Sequence, residues 1–535
     1  MSEADRDAII IGAGICGTYM LHKLTQLGLD AVVLERGGGP GGTWYWNRYP
    51  GARFDSESYT YGYSFSQDIL NEWDWKEHFA PQPETLSYVN YVVDKLVLRD
   101  RMQFDCNVER ATYDETANLW TVHLEEGRTL TATYLLTAIG MLSAATPPAI
   151  PGVGDFAGPE CHTYNWPHEG IDLAGKRVAV IGTGATGVQL IGAIADEVAE
   201  LAVYQRRPNW CAPLHNAPIS AEEMADIKTR YDEIFARIHS TQNGFLHDAD
   251  RRELAEVPEA EKLAFWEDLY ASPGFGVWLG NFRDVLLDPE SNAEFSEFIA
   301  SKIRQRVHDP EVAEKLIPKD HGFGTRRVPM ETRYYEAYNL PHVELIDVND
   351  TPIERITPNG IQTRDGEREF DVVLYATGFD AITGAFDRIR FEGLEGKPLT
   401  EHWREDPRTY LGVQTAGFPN LFILAGPQAA SVATNFPPAI ETAVEWTSDL
   451  IEFMRDHGYR KAQVDTEAED AWLEEVKSVY GMLLLTGTKS WFTGYNSNVE
   501  DRDRLRHVIY LGGAPAYRDR LASVAADQYP GFHFA

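Results

Sequence analysis

A pattern of strand, glycine-rich turn, helix and strand occurs twice in this chain, and it constrains the fold more than any other feature. In the first copy the apolar runs cover residues 8–11 and 31–34, and in the second they cover 178–181 and 201–204. Short unbroken apolar runs are typical of strands buried on both faces of a parallel sheet. The chain is therefore predicted to be an α/β protein with two Rossmann-like domains.

The turns of both copies have the glycine spacing of a dinucleotide-binding fingerprint. The glycines are Gly12, Gly14 and Gly17 in the first copy and Gly182, Gly184 and Gly187 in the second, where Thr183 and Thr186 lie between them. Such glycines let the backbone turn tightly and approach a pyrophosphate, and the following helix N-terminus supplies partial positive charge. We therefore predict two nucleotide sites in one chain.

The residue that follows the second strand of each copy indicates which dinucleotide binds. Glu35 can accept hydrogen bonds from ribose hydroxyls and would repel a 2′-phosphate, which favours FAD, with NAD as the alternative. The second copy has Arg206 and Arg207 at this place, and their guanidinium groups match a phosphate dianion, which favours NADP. The alternative interpretation is a solvated arginine pair. FAD and NADP together predict hydride transfer from nicotinamide to flavin.

Charge and cysteine content exclude several functions. The chain has 48 Lys and Arg against 82 Asp and Glu, and this net charge of −34 opposes binding to nucleic acids or anionic membranes. No apolar run approaches the ~20 residues that cross a bilayer, and the polar start is unlike a secretory signal, so a soluble, cytoplasmic protein is expected. The cysteines, at 16, 106, 161 and 211, form no CxxC pair and no metal-ligand pattern. Without a dithiol relay, O₂ is the expected electron acceptor.

Length and connectors predict the division into domains. A chain of 535 residues is too long for one ordinary core, and the proline-rich connector at 146–152 marks a crossing between domains. Between about 220 and 318 the apolar spacing is helical, which predicts a helical insertion. The predicted parts are an FAD-binding domain at 1–145 and 386–535, an NADP-binding domain at 152–219 and 325–385, and the insertion in this second domain at 220–324.

Smaller signals predict individual elements. The apolar run at 421–426 predicts a buried strand. Asp309 before Pro310 predicts a helix start, because the acid can cap and the proline suits the first helical position. Pro437 and Pro438 predict another helix start for the same reason.

Three motifs identify a family. Residues 156–167, FAGPECHTYNWP, match the FxGxxxHxxxWP fingerprint of the type I Baeyer–Villiger monooxygenases at every fixed position. Residues 41–55 match a second pattern of this family, (A/G)GxWxxxx(F/Y)P(G/M)xxxD, without exception. Residues 376–380, ATGFD, resemble the segment that these and related flavoproteins use beside the domain junction. The chain is similar to this family from residue 7 onward.

The resemblance implies roles along the two cofactors. It places Thr43, Trp44 and Trp46 along the flavin, and it places Trp491 on the nicotinamide side. It gives His162 and Trp166 a role in coupling domain movement to the use of NADPH.

The resemblance also implies a catalytic pair. Arg326 and Arg327 are similar to the family's lysine–arginine pair, with arginine in place of the lysine. By this similarity Arg326 contacts the NADP 2′-phosphate and Arg327 is the active-site arginine, with Asp55 as the carboxylate that positions it. The sequence leaves open which of Arg206, Arg207 and Arg326 dominates phosphate binding.

The function implied is that of an FAD-dependent, NADPH-using ketone monooxygenase. Its partners are a ketone, with a cyclic one favoured, and O₂. A flavin peroxide would attack the carbonyl, and the Arg327 cation would keep the peroxide charged and stabilise the adduct until an ester or lactone leaves.

Two other functions remain as alternatives. One is a flavin monooxygenase that acts on nitrogen or sulfur, although Asp55 and the Trp166-Pro167 ending favour ketone oxidation. The other is a non-catalytic, flavin-binding redox sensor. No oligomeric state follows from the sequence.

Overall fold

The computed structural model describes residues 4–535, apart from the side chains of residues 431 and 432. Residues 1–3, which the sequence analysis assigns to the first domain, lie outside the described residues. The strands are β1 (Arg6–Ile11), β2 (Ala31–Leu34), β3 (Met102–Gln103), β4 (Val108–Asp114), β5 (Leu119–Leu124), β6 (Thr129–Thr137), β7 (Glu160–His162), β8 (Arg177–Ile181), β9 (Glu200–Gln205), β10 (Ala212–Pro213), β11 (Met330–Glu331), β12 (Val343–Asp347), β13 (Ile353–Ile356), β14 (Gly360–Thr363), β15 (Gly366–Glu369), β16 (Val372–Tyr375), β17 (Arg390–Glu392), β18 (Leu421–Ile423), β19 (Ala462–Val464) and β20 (Phe532–Phe534). The helices are α1 (Ile15–Gln26), α2 (Thr43–Trp46), α3 (Ser58–Tyr61), α4 (Gln67–Glu72), α5 (Gln82–Lys95), α6 (Ala185–Ile194), α7 (Ala221–Thr229), α8 (Tyr231–Ser240), α9 (Glu259–Ala271), α10 (Gly276–Leu279), α11 (Pro289–Arg306), α12 (Pro310–Leu316), α13 (Tyr334–Ala337), α14 (Gly384–Asp387), α15 (Leu399–His402), α16 (Phe436–Asp456), α17 (Thr466–Tyr480) and α18 (Ala514–Ala526).

The first sheet contains the first glycine turn. Its strand order is β17-β4-β5-β6-β1-β2-β3, and β18 also pairs with β6. β1 runs parallel to both neighbours, with Ile10 opposite Val33 and Leu136. All three residues are fully buried, because helices and further chain cover both faces of the sheet. This accounts for the unbroken apolar runs in the sequence.

The second sheet contains the second glycine turn. Its order is β12-β9-β8-β16-β7, and every pairing within it is parallel. Val180 lies opposite Val203 and Leu374, and all three are fully buried. The prediction of an α/β protein with two Rossmann-like units is confirmed.

Two segments of chain cross between the sheets, one from β6 to β7 and the other from β16 to β17. They meet in a short antiparallel contact in which Ala145 lies opposite Phe379. The Thr146 N–H donates to the Gly378 carbonyl at 2.9 Å, and the Asp380 N–H donates to the Ala144 carbonyl at 2.9 Å. The two crossings therefore brace each other at the place where the proline-rich connector begins.

The helices between residues 221 and 316 pack against two different cores. Residues of α7 and α8, such as Ile227 and Ile238, join the core that contains Ile10 of the first sheet. Residues of α9 to α12, such as Trp266, join the core that contains Val180 of the second sheet. Apolar spacing predicts that these segments are helical, but it does not reveal which sheet each helix covers.

The smaller elements agree with the sequence except at one boundary. The Asp309 carboxylate accepts from the Glu311 and Val312 N–H groups and caps α12, which begins at Pro310. α16 begins at Phe436, with its prolines in the first turn. β18 ends at Ile423, before the predicted end at 426, because Ala425 has a φ of 51° and a strand cannot continue through that conformation.

The cysteines are unpaired thiols. Cys16, Cys106 and Cys211 are buried, and Cys161 is half-buried. Burial raises the pKa of both Cys16 and Cys161 to about 12, so these thiols stay protonated at neutral pH. Within residues 4–535, no group of three or more His, Cys, Asp and Glu side chains is placed to hold a metal ion. None of the helices in that range has the length and apolar character needed to traverse a bilayer.

We expect Gly187→Ala to destabilise the fold, because a Cβ on Gly187 would clash with the carbonyl oxygen of Gly182 in the turn. Overpacking of this kind typically costs about 1–3 kcal/mol, measurable as a lower midpoint of urea unfolding. Gly184→Ala is the matched control, since its Cβ would meet nothing within 4 Å. Equal midpoints for Gly187→Ala and the unmodified protein would contradict the close packing of helix on turn.

Candidate active site

A cavity of about 300 Å³ lies at the carboxyl ends of β1 and β2. Most residues predicted to bind FAD line it, namely Gly12, Gly14, Glu35, Thr43, Trp44 and Trp46. Gly17 packs the helix instead, because a Cβ there would clash with the Gly12 carbonyl. The position matches the rule that open α/β sheets bind ligands at the carboxyl ends of their strands. The cavity and its glycine edge fit a dinucleotide.

Glu35 is fixed at the end of β2 by backbone donors. Its Oε2 accepts from the Ala13 N–H at 2.8 Å, and its Oε1 accepts from the Gly37 N–H at 2.7 Å. Burial raises the pKa of Glu35, while these two hydrogen bonds lower it. The carboxylate therefore stands beside the glycine turn with its orientation set before any ligand arrives, as ribose binding requires.

The tryptophans of α2 form another wall of this cavity. α2 begins after Gly42, which has a φ of 53°. Trp44 is buried, its Nε1 donates to the Tyr61 hydroxyl at 3.1 Å, and its carbonyl accepts from Gln82. Trp46 is half-buried and stacks on Tyr164, with the ring centroids 5.5 Å apart and the planes at 16°. A flat ligand can pack against this wall.

The second glycine turn has open space before its helix. Gly184 caps the N-terminus of α6, and a Cβ there would meet nothing within 4 Å. Thr186 lies in the first turn of that helix, and the Thr183 hydroxyl donates to the Arg207 carbonyl at 3.1 Å. An open helix N-terminus of this kind suits a phosphate group.

Three arginines near this turn can meet a further phosphate. Arg206 and Arg207 are exposed, and the Arg206 guanidinium donates to the Asn498 amide oxygen at 3.1 Å. Arg326 is mostly buried, pairs with Asp320 at 2.9 Å, and has a buried Nε with no hydrogen-bond partner among the described residues. Burial lowers the pKa of His321, and the charges of Arg326 and Arg207 add to this effect, so these two arginines lie near one histidine. The unsatisfied Nε and the exposed cations fit a phosphorylated nucleotide.

Arg327 and Asp55 form a largely buried ion pair, with Arg327 Nη1 2.6 Å from Asp55 Oδ2. The Asp55 side chain is only 3% exposed. It also accepts from the Met330 N–H at 3.3 Å and the Gln189 amide at 3.4 Å. The guanidinium carbon lies 5.2 Å from the centroid of the Phe275 ring. The sequence motifs of residues 41–55 and 326–327 therefore meet in one place and hold a cation in a fixed orientation.

His162 and Trp166 lie on the segment that follows β7. Burial lowers the pKa of His162 to about 4, so the ring is neutral at neutral pH. Its Nδ1 accepts from the Tyr164 N–H at 3.1 Å, which leaves the proton on Nε2. This Nε2 is buried, and a hydrogen bond with the Gly378 backbone partly offsets the effect of burial on the pKa of His162. Trp166 is buried in the core of the second sheet.

Trp491 lies near the crossing segments. It is half-buried, and its ring centroid is 4.3 Å from that of Phe492. Both residues belong to a small apolar cluster that includes Met141 and Ile382, one from each crossing. The C-terminal part of the chain therefore touches both connections between the sheets.

Sequence reasoning missed several residues of these sites. Gln189 binds Asp55, and Phe275 supports Arg327, but one lies on a regular helix and the other in a segment without a motif. Tyr164, Arg36 and Arg388 line the first cavity. Tyr164 occupies a variable position of the fingerprint, so only its aromatic character in a polar segment signals it.

Comparisons with known proteins agree with this geometry. Residues 9–261 match the family model described as pyridine nucleotide-disulphide oxidoreductase. The 2-oxo-Δ3-4,5,5-trimethylcyclopentenylacetyl-CoA monooxygenase of Pseudomonas putida is 45% identical over 99% of this chain and 98% of its own length. The acetone monooxygenase (methyl acetate-forming) of Gordonia sp. is 42% identical over 99% of both. The phenazine N-monooxygenase of Lysobacter antibioticus is 39% identical over 98% of this chain and 96% of its own length.

A solved structure covers the whole fold. A crystal structure of OTEMO in complex with FAD and NADP matches 100% of both chains, with 44% sequence identity and a TM-score of 0.96. Because the structural match covers the whole chain, it includes both sheets, both glycine turns and the helices between them.

Proposed function

Since this chain belongs to the type I Baeyer–Villiger monooxygenase family, we propose that it oxidises a cyclic ketone and that Arg327 and Asp55 carry the reaction. The protein is an FAD-dependent monooxygenase that uses NADPH and O₂ to convert a ketone to an ester or lactone. One oxygen atom enters the product and the other leaves as water, with the electrons supplied by NADPH.

The preference for a ring is supported by the surroundings of Arg327. Phe275, beneath its guanidinium, makes edge-to-face contacts with Phe245 at 5.0 Å and with Trp278 at 5.7 Å. Phe275 itself is buried, whereas Phe245 and Trp278 are partly exposed and can offer an apolar surface to a cyclic substrate. The substrate for which the Pseudomonas putida relative is named contains a cyclopentenyl ring, whereas the Gordonia relative is named for acetone.

We assign FAD to the first cavity and NADP to the second glycine turn. FAD, once reduced by NADPH, supplies the chemistry that activates O₂. The residues proposed to hold FAD are Gly12, Gly14, Gly17, Glu35, Thr43, Trp44, Trp46 and Asp55. Those proposed to hold NADP are Gly182, Thr183, Gly184, Thr186, Gly187, Arg206, Arg207, Arg326 and Trp491. We also propose the domain bounds predicted from the sequence, with FAD held by 1–145 and 386–535, NADP held by 152–219 and 325–385, and the helical insertion at 220–324.

We further propose that the partners are limited to small molecules. A ketone and O₂ complete the reaction, and the net charge of −34 opposes nucleic acid and anionic membranes. A cytoplasmic location fits the unpaired cysteines of the described chain.

Arg327 provides a permanent positive charge where the reaction needs one. Its guanidinium is a cation that can stabilise negative charge as it develops on the reacting oxygen atoms. Asp55 restrains this side chain through the 2.6 Å ion pair. The neutral His162 can donate a hydrogen bond from Nε2 when NADP binds beside the segment that follows β7.

Replacing Arg327 should separate cofactor chemistry from ketone oxidation. We expect Arg327→Ala to bind FAD and to be reduced by NADPH, but to form ester slower by a factor on the order of 10²–10³. Asp55→Asn should lower the same rate, since the cation loses its restraint. Ester formation is measured by product mass with a cyclic ketone. Arg333→Ala, at an exposed ion pair with Asp196, is the matched control. Normal ester yields from Arg327→Ala would refute the assignment.

Replacing Arg206 should lower the preference for NADPH over NADH. Because Arg206→Ala removes a charge-assisted hydrogen bond to phosphate, we expect the affinity for NADPH relative to that for NADH to fall about tenfold. The affinity for NADH should stay the same. Flavin reduction rates at varied coenzyme concentrations give both affinities. Arg364→Ala, at an exposed turn of the same domain, serves as the control. If the preference is the same in Arg206→Ala, this arginine does not contact the phosphate.

A second candidate, oxygenation of nitrogen, is favoured by the phenazine N-monooxygenase relative. Incubation with a phenazine and with a cyclic ketone, followed by product mass, distinguishes the two reactions. A gain of one oxygen on the ketone supports the first proposal. NADPH oxidation that is independent of every substrate would instead favour a redox sensor.

A further inference from the structure

A stack of three side chains lies at the first cavity. We call it the Arg36–Trp46–Tyr164 stack. The Arg36 guanidinium carbon lies 4.7 Å from the Trp46 ring centroid and 5.8 Å from that of Tyr164. The two rings are stacked 5.5 Å apart, and Arg36 Nη2 donates to the Tyr164 hydroxyl at 2.8 Å. The stack thus combines cation–π contacts, ring stacking and one charge-assisted hydrogen bond.

The three members come from separate parts of the chain. Arg36 directly follows Glu35 after β2, Trp46 ends α2, and Tyr164 lies two residues after β7 of the second sheet. All three nevertheless line the same cavity as Glu35. A residue next to the proposed ribose acceptor is therefore held by a tyrosine that the second sheet positions.

Tyr164 lies near the place where the two crossing segments meet, as well as lining the cavity. Its N–H donates to His162 Nδ1 at 3.1 Å. The Phe379 ring makes edge-to-face contacts with Tyr164 at 5.6 Å and with His162 at 5.8 Å. Phe379 in turn lies opposite Ala145 where the two crossing segments meet. Movement of Tyr164 therefore changes contacts at the connection between the sheets.

We propose that Tyr164 binds the adenosine half of FAD through the Arg36–Trp46–Tyr164 stack, and that it couples FAD binding to NADP binding. The inference rests on the proposed function in taking the first cavity as the FAD site. Guanidinium and aromatic groups are the side chains that stack on a purine. Arg36 is exposed, and its hydrogen bond to the Tyr164 hydroxyl restrains its long side chain. Without this hydroxyl, the side chain would lose conformational entropy when FAD binds, and the affinity for FAD would fall. Tyr164 is a positioning residue for Arg36.

The first test is the rate of FAD release from the holoenzyme, followed by the rise in flavin fluorescence. Tyr164→Phe keeps the ring and removes only the hydroxyl, and we expect release about tenfold faster. Tyr113→Phe is the matched control, because its hydroxyl also bonds a side chain, Asn118, but Tyr113 does not line the cavity. Release at the same rate in Tyr164→Phe and the unmodified protein overturns the proposal, as does an equal acceleration in Tyr113→Phe.

Arg36→Gln provides a second variant at an exposed position, where folding is not at risk. We expect it to accelerate release as Tyr164→Phe does, and the double variant to show less than the product of the two effects, because both remove one interaction. Fully multiplicative effects would show that the two side chains act independently and would overturn the role of Tyr164 in positioning Arg36.

The second test measures the coupling. Saturating NADP⁺ should change the FAD release rate of the unmodified protein, and Tyr164→Phe should reduce this change at least threefold, since the linkage passes through the segment that follows β7. A release rate that does not respond to NADP⁺ overturns the coupling. These measurements use no ketone, so a holoenzyme that forms no ester would refute the proposed function and leave the role of Tyr164 standing.

Discussion

The ion pair between Asp55 and Arg327 is the interaction on which the arrangement of the site depends. A buried carboxylate without a partner costs several kcal/mol, and this one lies between the two nucleotide units. Asp55 also receives hydrogen bonds from Gln189, on the helix after the second glycine turn, and from Met330, at β11. The residues that connect the two nucleotide units at this place therefore also fix the Arg327 cation.

The two glycine turns near this pair have the same position in their sheets. Each lies at the carboxyl ends of parallel strands, where open α/β sheets bind their ligands. The crossing segments that connect the sheets contact each other, and Trp491 from the C-terminal part lies in an apolar cluster with both of them. Arg206 binds Asn498 in that same part of the chain, where a nucleotide phosphate would compete for the guanidinium. If Arg206 holds the NADP phosphate as proposed, NADP binding would therefore change a contact made by the C-terminal part of the chain.

Local signals in the sequence predict the scaffold and the ends of the strands. The apolar runs, the glycine spacing and Glu35 all report on contacts within one strand–helix–strand unit of about 30 residues, and the structure pairs these strands as expected. Gln189, Phe275 and Tyr164 reach the sites through packing between distant segments, which no local pattern encodes. The same limit applies to α7 and α8, whose apolar faces do not specify which sheet they cover. The early end of β18 depends on one left-handed residue, Ala425, whose side chain gives no hint of it.

The protonation of the buried thiols affects how well the enzyme resists oxidation by its own by-products. A monooxygenase that consumes O₂ and NADPH without productive transfer releases hydrogen peroxide inside its own fold, and thiolates are the groups that such an oxidant attacks first. Cys16 lines the first cavity, which is the proposed FAD site, and its pKa of about 12 keeps the sulfur in the less reactive neutral form. Burial thereby limits sulfenylation of Cys16 by peroxide that the enzyme itself releases in unproductive cycles.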